Sequence, residues 1–263
     1  MKRSLRMKLF SQKLRTWIGQ WNVRTLYEPG KLAQLAAEMR RYRLGILGVS
    51  EARWNQFGEF ELASGELFIY SGKENKDDIH ERGVGIMLSG YAKKCLMECE
   101  AIDDRIITAR INAKIQKITI IQCYSPTNNA EPFEKEEFCN KLQAAVVDNA
   151  PNRDILIIMG DFNAKVGRNN ASIERIMGKE GLGDVNENGE ELVDICALNG
   201  LSIGGTLFPH KRVHKATWRS PDGVTENQID HILISQLWRT SLQDVRVKRE
   251  PPWGLIITLL WLL

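Results

Sequence analysis

Eight apolar runs of strand length recur along this chain, against three segments with the spacing of a helix, and that imbalance leaves few folds open. The runs cover residues 17–23, 44–50, 67–71, 84–89, 106–113, 117–124, 155–160 and 229–235. Several are rich in Ile and Val, as strands buried on both faces are. The first helical segment starts at Pro29, with Leu32, Leu35, Ala36 and Met39 on one face and Arg40, Arg41 and Arg43 toward the end where cations suit the helix dipole. A second covers 131–147, with acids in its first turns and Phe138, Leu142, Ala145 and Val146 at helical spacing. A third covers 188–198 and stops at Asn199-Gly200. Many strands among few helices predict an α/β chain folded as a two-sheet β-sandwich flanked by helices.

No linker rich in Pro, Gly or Ser divides the 263 residues and no internal repeat stands out, so one domain is expected from residue 16 onward. Apolar residues at 43% and charged residues at 26% exclude the disordered and collagen-like classes. Cys95, Cys99, Cys123, Cys139 and Cys196 are odd in number and contain no C-x-x-C pair. That argues against a disulfide framework or a zinc ribbon and for a reducing compartment, nuclear or cytoplasmic rather than secreted. The net charge of +3 is unevenly spread: residues 1–15 hold Lys2, Arg3, Arg6, Lys8, Lys13 and Arg15 and no acid, leaving 30 basic against 33 acidic side chains in the rest. A body of this kind meets nucleic acid through a local patch or a bound cation rather than bulk charge. The head reads as a disordered basic lead-in, with too few serines and too poor an apolar face for a transit peptide. The tail 254–263, GLIITLLWLL, is too short to span a bilayer, which takes about 20 residues. No membrane partner is expected, and nothing marks an obligate protein partner.

Polar residues cluster at the ends of the apolar runs, where sites are usually built. Asn22 closes the first run, and as a lone residue it reads as a turn Asn. Glu51 ends the buried run LGILGVS, and a carboxylate there needs a counter-charge, an arginine or a metal. In IIMGDFN, Gly160 allows close backbone approach and Asp161 and Asn163 alternate onto one face of an extended chain. An acid that takes a proton from water beside an amide that donates to a charged oxygen suits phosphoryl chemistry. Tyr124 follows the run KITIIQC, where a core tyrosine is an equally good reading. Asp230 sits in the apolar run QIDHILI; its neighbour His231 must point to the opposite, outer face.

Taken in order, Trp21-Asn22, Glu51, Tyr124-Ser125-Pro126, Gly160-Asp161-Phe162-Asn163 and Asp230 resemble the motif series of the endonuclease/exonuclease/phosphatase superfamily. Within it, segments such as WNVRTLYEPGKLAQLA, LGVSEARW, TIIQCYSPTN, MGDFNAKVG, NENGEELVDICALNGL and SPDGVTENQIDHILIS are most similar to the endonuclease region of RTE-type non-LTR retrotransposons, the craniofacial development protein 2-like sequences. The match runs from about residue 17 to 249. One departure is Gly45, where the resemblance implies an Asp; the change is expected to touch a turn rather than the chemistry.

The resemblance implies a DNase I-like fold and a DNA endonuclease that uses Mg²⁺, with Mn²⁺ as a substitute, to nick a strand and leave a 3′-hydroxyl. It makes Glu51 the principal metal ligand with Asn22 beside it, Asp161 the group that positions and activates water, and Asn163 and Tyr124 donors to the phosphoryl oxygens. It makes Asp230 the acid that orients a catalytic His, which the family carries in a Ser-Asp-His-His on its last strand. Here that ending is missing: after Arg249 the chain reads EPPWGLIITLLWLL. Codons for that stretch, read from the third base of Arg249, are compatible with Gly-Ala-x-Val-Gly-Ser-Asp-His-His. The expectation is therefore a shifted frame over 250–263, a final strand altered or missing, and an isolated endonuclease piece with impaired activity. The alternatives are a catalytically dead remnant acting as a nucleic-acid-binding or interaction module, and another phosphodiesterase or phosphatase of the same fold. DNA is the expected partner, and TLFPHKRVHKATWRSP, with Lys211, Arg212, His214, Lys215 and Arg219 and no acid, is the expected groove-contacting hairpin.

Overall fold

The computed structural model describes residues 16–113, 116–248, 257–258 and 260–262. The basic head and residues 249–256, where the frame change is expected, lie outside the described residues.

Sheet I is built from β1 (Thr16–Asn22), β2 (Leu44–Ser50), β3 (Phe57–Glu61), β4 (Leu67–Ser71) and β5 (Val84–Leu88). Sheet II takes β6 (Leu96–Ala101), β7 (Ile106–Ile111), β8 (Ile118–Tyr124), β9 (Ile155–Asp161), β10 (Leu201–Ile203) and, after the short hairpin β11 (Trp218–Arg219) and β12 (Glu226–Asn227), β13 (Asp230–Ser235). Then β14 (Val247–Lys248) pairs with β15 (Ile257–Thr258), and β16 (Leu260–Leu262) returns to the edge of sheet I, antiparallel to β1. The strand orders are β16-β1-β2-β5-β4-β3 and β10-β13-β9-β8-β7-β6. The helices are α1 (Lys31–Arg41), α2 (Gly90–Lys93), α3 (Pro132–Asn149) and α4 (Glu187–Leu198).

This is the two-sheet α/β sandwich that the strand-rich pattern predicts, and all eight apolar runs are strands. The unpredicted strands are short or lie at edges: β3 is almost wholly exposed, and β6 alternates half-buried with exposed residues. A strand that buries little offers no apolar run to find. Gly45 lies inside β2 rather than in a turn, and a Cβ there would meet the Thr16 methyl at 2.6 Å.

Between the sheets, Ile18, Ile46 and Ile86 face Ile107, Ile120, Ile157 and Ile232 in one apolar layer. Outside sheet I, α1 buries Leu32, Leu35, Ala36 and Met39, the face its spacing predicts, on Leu47, Val49 and Met87. Outside sheet II, Phe138 and Leu142 of α3 and Leu192 and Cys196 of α4 cover Ile121, Ile158 and Leu233. Burying each such side chain contributes roughly 1.5–3 kcal/mol. All five cysteines are free thiols, and no helix among the described residues is long and apolar enough to cross a membrane.

Each sheet contains one parallel pair, β1/β2 and β8/β9, and each pair is joined by a helical crossover, α1 and α3. A parallel pair brings both carboxyl ends to the same edge, the usual place for a ligand crevice in α/β sheets. Here that edge carries Asn22 and Ser50 from one sheet and Tyr124 and Asp161 from the other.

Candidate active site

Asn22 joins the two sheets. Its Nδ2 donates to Glu51 Oε1 at 2.7 Å and to Asp161 Oδ2 at 2.9 Å, and its Oδ1 accepts from the Arg24 amide at 2.9 Å. The second Glu51 oxygen accepts from Arg53 Nη2 at 3.0 Å, so the arginine option for the counter-charge is realised. Asp161 Oδ1 accepts from the Asn163 amide at 3.0 Å. Two carboxylates from different sheets are thus tied through one neutral amide.

The backbone around them is strained. Arg24, Glu51, Arg53 and Asn163 all have positive φ, at 60°, 55°, 57° and 50°, a conformation costing non-glycine residues of order 1–3 kcal/mol each and concentrated at functional sites. Asn163 therefore reaches Asp161 by a turn, not by the strand alternation expected from sequence. Its Nδ2 donates to Ser125 O at 3.0 Å, which aligns the segment after β8 with that after β9.

Burial, reinforced by the charge of Glu51, pushes the Asp161 acid up to about 6 against the pull of its two hydrogen bonds. Asp230 lies directly across from Asp161 in the β13/β9 ladder. Burial first, and then the Asp161 charge, holds its acid well above the usual carboxylate range, and its Oδ1 has no hydrogen-bond partner among the described residues. His231 points the other way, as expected: its Nε2 donates to Ala164 O at 2.8 Å, and burial lowers its pKa to about 4, which leaves a neutral, structural imidazole.

Tyr124, half-buried at the end of β8, packs its ring against the core between the sheets, and burial and then the charges of Glu51 and Asp161 raise its phenol. It stays a proton donor throughout neutral pH. Arg105 fixes it: the guanidinium lies 5.3 Å from the ring centroid, donates to Tyr124 O at 3.1 Å, and is anchored on Glu134 at 2.6 Å.

Sequence reasoning missed the layer beneath. Ser50 Oγ accepts from Gln122 Nε2 at 2.9 Å, Gln20 Nε2 at 3.3 Å and the Asp161 amide at 3.3 Å, and donates to Cys123 O at 3.1 Å. One hydroxyl therefore links β1, β2, β8 and β9. The signal available was polar residues at inward positions of apolar strands, where a buried polar group must find partners.

The endonuclease/exonuclease/phosphatase family matches residues 19–251. The chain belongs to that family. It is 39% identical over 234 residues to craniofacial development protein 2 of Bos taurus, an alignment covering 88% of this chain and 38% of the relative. The chain therefore spans less than two-fifths of that curated relative. Among solved structures it is similar to the endonuclease domain of TRAS1, a telomere-specific non-LTR retrotransposon, with TM-score 0.66 and 15% identity over 95% of this chain and 98% of the other. It is also similar to a Neisseria 3′ phosphatase bound to product DNA hairpin, with TM-score 0.65 and 19% identity over 93% and 98%. At such identities the structures establish the fold, which is the DNase I-like sandwich of the family.

The residues gathered at this edge are compatible with a hard divalent cation. Glu51 supplies a carboxylate and Asn22 an amide oxygen, and Asp161 beside them, its acid raised first by burial and then by the Glu51 charge, is a carboxylate that a nearby cation would stabilise in its ionised form. No group of three or more His, Cys, Asp or Glu residues suited to a metal is present among the described residues; Mg²⁺ is commonly held by one or two carboxylates with water and substrate phosphate completing the shell.

The cations of the basic segment sit in different settings. Lys215 is buried and ion-paired with Glu180, Arg212 pairs with Glu226 at 3.1 Å, and His214 Nδ1 donates to Val247 O at 3.2 Å. Only Arg219 lies in the β11/β12 hairpin, its Nε donating to Gly223 O at 3.0 Å within it. Lys211 is exposed. Lys215 in particular is a structural cation here, because its burial needs the Glu180 partner.

Proposed function

We propose that this chain is a divalent-metal-dependent phosphodiesterase acting on DNA, an endonuclease of the retrotransposon type that leaves a 3′-hydroxyl. The single observation behind this reading is the Asn22 amide bridging Glu51 and Asp161 at the common edge of the two sheets. Glu51 and Asn22 would hold Mg²⁺ or Mn²⁺, which when bound supplies Lewis-acid polarisation of a phosphoryl oxygen. Asp161, ionised above about pH 6, takes the proton of the attacking water. Tyr124, protonated at neutral pH, and the Asn163 amide donate to the phosphoryl oxygens as charge builds there. Asn22 keeps the two carboxylates at fixed separation, so the base is positioned before substrate arrives.

We further propose that residues 250–263 are read in a shifted frame, which leaves Asp230 without the histidine that the family resemblance implies. Loss of such a group lowers rate by about 10² to 10⁴. The expected chain is folded and impaired, with activity restored by an ending that supplies Ser-Asp-His-His.

The experiment compares this chain with a version carrying that ending, by the chemistry of the nicked products. Products extended directly by a DNA polymerase carry a 3′-hydroxyl and support the reading. Hydrolysis of a lipid phosphate with no DNA cleavage by either chain overturns it in favour of another phosphodiesterase of this fold. Binding of DNA with no hydrolysis by either chain favours a non-catalytic module.

A further inference from the structure

Two aromatic side chains beside the site have no part in the chemistry above. Tyr27 lies on the loop after β1, is 65% exposed, and sits with its ring centroid 4.5 Å from that of His80 at an interplanar angle of 46°. Next to His80, Ile79 is 74% exposed. An exposed tyrosine, a half-buried imidazole and an exposed isoleucine thus lie together on one stretch of surface.

The pair is held in place. Leu26 N donates to Ala52 O at 2.9 Å, Ala52 N to Gly83 O at 2.9 Å and Arg53 N to Arg82 O at 2.7 Å, so three loops are laced together by backbone hydrogen bonds. The Tyr27 amide donates to Thr25 Oγ1 at 3.0 Å and His80 Nδ1 donates to Arg53 O at 2.9 Å. Left-handed backbone at Arg24 and Arg53 sets the turns. The connection to the site is short: the residue whose carbonyl holds His80 is the one whose guanidinium holds Glu51.

We infer that Tyr27 and His80 form a stacking shelf for an unpaired nucleobase of the DNA strand engaged at Asn22, Glu51 and Asp161. The inference rests on the nuclease reading above and adds the form of substrate. Inside a duplex, each base face is covered by its neighbours, so a preformed aromatic face fits a base that is single-stranded, terminal or extruded. Stacking on an aromatic side chain tolerates any base, since every base has a π-face. The exposed Arg24 on the same loop offers a cation for the flanking phosphate.

The test is a titration of the full chain, in EDTA, with hairpin oligonucleotides carrying 2-aminopurine either in an unpaired position beside the duplex or paired within it. The unpaired probe is expected to be quenched on binding and the paired probe unaffected. Tyr27→Ala should abolish the quench and weaken binding of the unpaired probe about 5- to 100-fold, Tyr27→Phe should retain both, and His80→Ala should lose part of each. Equal binding and quenching by Tyr27→Ala and the parent chain, or equal quenching of the two probes, overturns the shelf. Because quenching is read without divalent metal, its failure is distinguishable from failure to hydrolyse DNA.

Discussion

Asp161 combines two properties that seldom coexist, an ordered hydrogen-bond environment and an acid held high by burial. Its pKa in the fold, about 6 against an ordinary 3.8, has a thermodynamic consequence. Between those values the folded state binds a proton that the unfolded state has released, so this group's contribution to stability falls as pH rises through that window and is smallest above pH 6. Two units correspond to at most about 3 kcal/mol. In EDTA, denaturant unfolding of the parent chain and Asp161→Ala should therefore show a stability difference that moves in favour of the parent as pH is lowered from 6 to 4. A difference that is constant over that range contradicts the assignment. The residue was legible in sequence because an acid ending an apolar run demands an explanation. Its relation to Asn163 was not, since a left-handed turn at a non-glycine residue leaves no periodic signature. Arg105 was equally hidden: its hold on Tyr124 depends on Glu134 of a helix distant in sequence.

The elements that place these residues are the two parallel strand pairs, and their close approach depends on glycine. At Gly160 an added Cβ would lie 2.0 Å from Cys123 O, and at Gly48 it would lie 1.9 Å from Gln122 Oε1. The first contact is with backbone in the β8/β9 ladder and cannot be relieved by a rotamer change. The second is with the end of a side chain that belongs to the Ser50 layer. Gly160→Ala is expected to cost about 3 kcal/mol or to prevent folding, at the upper end of overpacking effects, whereas Gly48→Ala should cost less because Gln122 can move. Chemical denaturation of the two variants checks this, and equal stabilities would contradict it. At this scale the strands with continuous apolar runs were readable, as was the buried face of α1. The edge strands β3 and β6 were not, because solvent on one side removes the pattern. The Ser50 layer was not readable either, since serine and glutamine in a strand declare nothing about which partners they meet across the sandwich.

For the whole molecule, the order of motifs along the chain carried more information than any one of them. Asn22 and Asp161 are 139 residues apart and meet at 2.9 Å, a contact that follows from two sheets whose parallel pairs point the same way. Long-range ion pairing was not readable in the same way: nothing in the basic run marks Lys215 as the cation that Glu180 takes into the fold, while Lys211, Arg212 and Arg219 stay exposed. Under the proposed function, the edge shared by the sheets hydrolyses phosphodiesters in DNA. The most direct measurement is nicking of supercoiled plasmid by the full chain, supplied with Mg²⁺ and compared with Asp161→Ala at equal concentration. Slow conversion of supercoiled to open-circular DNA is expected, needing the metal and falling at least about 100-fold in the variant. Nicking that persists undiminished in Asp161→Ala, or that proceeds equally in EDTA, would contradict it.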